Sequence, residues 1–158
     1  MGRGDLSRLA ALLVLALACV PAALAAGTPH LTSFTLMGAT VPTGAQSPQA
    51  YLAVRRSDTT RWAGRLEPAH RARVAGVDFT RSVVVAGFLD GYPCASDVKL
   101  NGVVRTGRRL IVTVTYTRPP IGVATCVRTS IRYVVLALDR AAVGRLPTEI
   151  ELRASARA

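Results

Sequence analysis

Histidine, cysteine and lysine are nearly missing from this 158-residue chain, which has two histidines, three cysteines and, at position 99, its one lysine. Aromatic residues make up only 5% of it. Each shortage narrows the chemistry. Zinc sites want Cys or His ligands paired at short spacing, and no such pair exists. The cysteines include no Cys-x-x-Cys unit of the kind that lowers a thiol pKa. Neither a Gly-x-Ser-x-Gly elbow nor a phosphate-cradling glycine loop is present. Asp90, Asp97 and Asn101 carry oxygens suited to calcium but lack the dense carboxylate spacing of a loop site, so turn and strand-end roles explain them better. No metal and no cofactor is expected.

One long apolar run exists, and it lies at the start. Arg3 and Arg8 precede an apolar stretch over residues 9–21 and a small-residue stretch over 22–27, the order of a secretory signal. Ala23-Leu24-Ala25 meets the leader-peptidase rule and predicts a signal over residues 1–25, with one domain over 26–158. Cys19 follows Ala16-Leu17-Ala18, which looks like a bacterial lipobox with alanine in the usual aliphatic place, so lipid attachment at Cys19 is the alternative. The plainer reading of Cys19 is a small hydrophobe in an apolar core. A permanent transmembrane helix needs about 20 apolar residues, and no second run approaches that length. The expected product is an exported protein (periplasmic, cell-surface or extracellular) with no transmembrane helix once the signal is removed.

Without Arg3, Arg8 and Asp5 the remainder keeps 18 basic and 8 acidic residues, a net charge of +10. Such a balance favours anionic partners. Export argues against nucleic acid, and the arginines have no aromatic stacking pattern between them. A solvated, arginine-rich surface is preferred over a dedicated polyanion site. Cys94 and Cys126 remain after signal cleavage in a compartment that permits disulfides, and they are expected to bond. On the chain-entropy model that crosslink contributes up to about 3.5 kcal/mol.

Alternation of apolar and polar residues predicts a strand over 31–37, a loop over 38–48 and a short strand over 51–56. Ser57 or Asp58 is placed to cap a helix running to Leu66, with Trp62 and Leu66 on one face. Residues 68–76 read as an exposed loop. Four segments rich in β-branched residues follow, at 82–89, 98–104, 109–117 and 129–138. Within the third, Leu110, Val112, Val114 and Tyr116 should face the core. A helical turn over 139–146 and a last strand over 148–153 complete an all-β expectation, a small antiparallel meander or sandwich with one short helix.

Val77-Asp78-Phe79, the run Ser82-Val83-Val84-Val85-Ala86-Gly87-Phe88-Leu89, the turn at Pro93, Gly107 before the run from Leu110, and Pro119-Pro120-Ile121-Gly122 ahead of Tyr133-Val134-Val135 together make residues 77–140 resemble the carboxy-terminal domain of the PrcB family, accessory subunits of bacterial surface protease complexes. The resemblance covers about half of the expected mature chain. The family commonly shows a Pro-Thr-Gly-Gly-Tyr turn where this chain has Pro93-Cys94-Ala95-Ser96-Asp97. That departure bears on shared binding more than on shared fold. The resemblance implies a small β-domain that stabilises or docks onto an exported protein, with no activity of its own.

The reading is an exported, non-enzymatic accessory or protein-interaction module. Tyr92-Pro93-Cys94 and Pro119-Pro120-Ile121 are its candidate binding loops, since an apolar loop pair held by a disulfide loses little entropy on binding. The plainer reading is that these prolines shape turns. A second reading is arginine-mediated binding of anionic cell-envelope polymer. The last is a small hydrolase in which His70, with Asp78 or Asp90 and a serine, composes a formal triad; without a nucleophile signature, His70 reads as a surface histidine.

Overall fold

The computed structural model describes residues 31–41, 43–92, 94–118 and 130–157. The predicted signal and Cys19 lie outside them. The protein is all-β with short helical connections. Seven strands occur among the described residues: β1 (Leu31–Thr40), β2 (Gln49–Ala53), β3 (Ser82–Phe88), β4 (Ser96–Thr106), β5 (Arg109–Thr117), β6 (Ile131–Asp139) and β7 (Glu149–Arg157). They form two sheets, one in the order β1-β6-β3-β2 and one in the order β4-β5-β7. The first is antiparallel throughout. In the second, β4 and β5 make an antiparallel hairpin, whose two-residue turn places Gly107 at a φ of 59° where a side chain is disfavoured.

Two antiparallel-rich sheets bear out the all-β expectation, with one pairing that the pattern did not specify: β7 runs parallel to β5 over residues 149–157. Parallel neighbours need a crossover. Here the chain leaves β5, enters the first sheet as β6, turns through the one-turn helix α2 (Arg140–Val143) and returns to the second sheet as β7. The hydrophobic pattern of β7 is the same for either direction.

Strands β3 and β6 are buried almost without alternation, because both of their faces are covered. Register separates the faces. Val83, Val85 and Gly87 stand opposite Leu138, Leu136 and Val134, and a Cβ on Gly87 would meet Leu152 of β7 at 3.0 Å, so this face packs on the second sheet. Val84, Ala86 and Phe88 stand opposite Ala137, Val135 and Tyr133 on the other face. There they meet a helical layer contributing Trp62, Leu66 and Val74 to the core. In β5, Leu110, Val112, Val114 and Tyr116 are buried, as the alternation predicted.

The helical layer differs from expectation twice. Residues 68–76 form the helix α1 (Pro68–Ala75) instead of a loop. Proline sits in its first turn, where its missing N–H costs nothing, and alanine and arginine favour the interior. Only Val74 is buried, so no apolar stripe announces the helix. Upstream, in place of one helix to Leu66, there are two 3-10 turns, Arg56–Arg61 and Ala63–Arg65. Asp58 turns its carboxylate back onto the N–H groups of Val54 and Arg55 at 3.0 and 3.1 Å, the third residue of a capping box whose N-cap is Arg55, so Asp58 caps from inside the first turn and not as its N-cap. Trp62, between the turns, is buried all the same.

Candidate binding cleft

A cleft of 1120 Å³ opens where α1, the turn leading into β3, and the start of α2 converge beside β1. Asp78 shapes its rim. Its Oδ1 accepts hydrogen bonds from the Thr80 amide at 2.9 Å and the Thr80 hydroxyl at 2.6 Å, folding the chain from α1 into β3. These bonds, the hydroxyl's above all, hold the Asp78 carboxyl below its ordinary pKa of 3.8. Opposite, Asp139 Oδ1 accepts from the Ala141 amide at 2.8 Å and caps α2. The Arg140 amide donates to Arg81 O at 2.9 Å, joining the two rims.

Three arginines line this space. Arg140 is half-buried and anchored, donating from Nη2 to Val54 O at 2.6 Å, while its Nε is buried without a protein partner among the described residues. Arg73 and Arg81 are exposed and belong to none of the ion pairs found among the described residues. The Arg73 guanidinium stands 5.5 Å from the centre of the Phe34 ring. Phe34, Ala72, Val77 and Ala141 supply apolar wall.

Other polar clusters are occupied structurally. Asp90, 1% exposed, receives both oxygens' worth of hydrogen bonds from Arg65 at 3.0 and 2.9 Å and one from the Thr43 hydroxyl at 2.8 Å. Arg65 also lies 3.8 Å over the Phe88 ring. Tyr133 is buried beneath α1, with its hydroxyl 2.7 Å from His70 Nδ1 and accepting from the Glu67 amide at 3.3 Å. Burial raises its pKa above 10.0.

Among the described residues no hydrogen bond joins His70 to Asp78 or Asp90: His70 faces Tyr133, Asp78 is held by Thr80, and Asp90 is closed on Arg65. His70 sits on a helix, half-buried, where a surface loop position was expected. Among the described residues no three of His, Cys, Asp and Glu gather as a metal would require. Asn101 accepts from the Thr115 hydroxyl at 3.3 Å, a contact between β4 and β5.

Of the candidate binding loops, Tyr92 is half-buried and packs on Tyr116 with ring centres 5.0 Å apart. Pro93, Pro119, Pro120, Ile121 and Cys126 lie outside the described residues. Cys94 is disulfide-bonded and holds a φ of 71°. The cleft was not foreseen from the sequence. Its residues come from segments up to about a hundred positions apart, and its one local signal was the Asp78-x-Thr80 turn. No helix among the described residues is long and apolar enough to cross a membrane. Comparison of the chain with protein-family models, curated proteins and solved structures gives no match.

Proposed function

We propose that this chain is an exported, non-catalytic interaction module that docks onto or stabilises another exported protein. The observation that carries the reading is the open cleft, in which two exposed arginines that form no ion pair among the described residues, one of them beside the Phe34 ring, share a wall with apolar side chains on elements held by hydrogen bonds. Arginine beside aromatic surface is the composition of a recognition patch. A cleft built on rigid elements loses little entropy when filled. The resemblance of residues 77–140 to an accessory-subunit domain and the signal-like start of the chain point the same way. Pairing of Cys94 with Cys126 belongs to this reading, as a structural crosslink in an oxidising compartment.

The test is cross-linking and affinity recovery of the tagged protein from its native cells at low and high salt, followed by mass spectrometry. Recovery of one exported protein at both salts is the expected outcome. A second reading, binding of anionic envelope polymer through arginine, is favoured by the exposed arginines that make no ion pair among the described residues, such as Arg56, Arg61 and Arg108. Polymer recovered at low salt and lost at high salt would replace the first reading with the second.

A further inference from the structure

We propose that the cleft between α1 and α2 takes an acidic peptide segment of its partner, one in which Asp or Glu alternates with apolar residues. The inference rests on the interaction-module reading and names the chemistry of its site. Arg73 and Arg81 present planar forks of N–H donors that match carboxylates two bonds at a time, and neither forms an ion pair among the described residues, though the charge of Arg81 acts on Asp78. Arg73 is already placed beside the Phe34 ring, so less side-chain freedom is lost when a carboxylate arrives. Ser82 adds a polar side chain along the same wall.

The wall also selects against a dense polyanion. Asp78 and Asp139 lie in it with carboxylates that accept from Thr80 and Ala141. A chain with a phosphate at every repeat meets these two negative charges wherever it threads. A peptide with spaced carboxylates sets its charges at Arg73 and Arg81 and its apolar side chains against Phe34 and Val77. Val77 is buried at the floor and Phe34 half-buried at the side, so the apolar contribution is local and shape-dependent.

The experiment is fluorescence anisotropy of the purified protein with fluorescein-labelled hexapeptides alternating Asp or Glu with Leu or Phe. The same peptides carrying Asn and Gln, and inorganic polyphosphate of matched charge, serve as comparisons. The acidic peptides are expected to bind, and the amide peptides to bind about tenfold more weakly or worse. Arg73→Glu with Arg81→Glu should weaken the acidic peptides by about the same factor, while Arg118→Glu with Arg157→Glu, exposed at the far end of the β5–β7 pair and outside the cleft lining, should not. Circular dichroism confirms that each variant is folded. Equal binding of acidic and amide peptides, or no effect of reversing Arg73 and Arg81, overturns the proposal. Binding of polyphosphate without peptide overturns it in favour of a polymer site. If the cleft variant still recovers the partner from cells, the module reading stands and the cleft assignment falls.

Discussion

Gly38 shows how one residue can be set by a neighbour remote in sequence. It pairs with Tyr133, and a Cβ there would overlap the Tyr133 ring and approach Glu67 Oε1 at 2.7 Å. Tyr133 is fixed from above by His70 and from the side by Phe88, with ring centres 5.8 Å apart, so it has little room to retreat. Gly38→Ala is expected to cost about 1–3 kcal/mol in urea unfolding, an overpacking penalty. Asp78 sets a second expectation at this scale. Its folded pKa lies below 3.8, so its contribution to stability is complete above that value and is lost as pH falls through the folded pKa. Asp78→Asn should flatten the acid side of a stability profile measured between about pH 2 and 5, with little change in slope near neutrality.

Between elements, the Arg65–Asp90 pair ties the helical layer to the end of β3. Arg65 lies in the second 3-10 turn, Asp90 just beyond β3, and their side chains are 17% and 1% exposed. Loss of Arg65 leaves a buried carboxylate with Thr43 as its remaining hydroxyl donor. Arg65→Ala is expected to destabilise the protein by about 3–5 kcal/mol, read from thermal and urea unfolding. If the cost were under about 1 kcal/mol, the pair would be behaving as a solvated surface bridge. The elements themselves were unequally legible. β5 and β6 follow from runs of β-branched residues, whereas α1 was hidden because packing asks only Val74 of it, and the break between the two 3-10 turns was hidden because a capping signal and a buried Trp62 fit an α-helix equally well.

For the whole molecule, two sheets and a helical layer make three tiers, with β3 and β6 in the middle tier touched on both faces. The cleft is a consequence of that layering, since α1, α2 and β1 meet at one end of the first sheet. The alternation of β5 and the β-branched runs by themselves determined the all-β class and the core face of β5, because side-chain period and propensity are local properties. Charge and cysteine content likewise determined what kinds of partner and crosslink to expect. Only the tertiary structure decided that β7 runs parallel to β5, that His70 rests on Tyr133, and that Arg73, Arg81 and Phe34 share one cleft. Strand direction, side-chain partners and clefts depend on which distant segments are brought together, and hydrophobic pattern is blind to that choice.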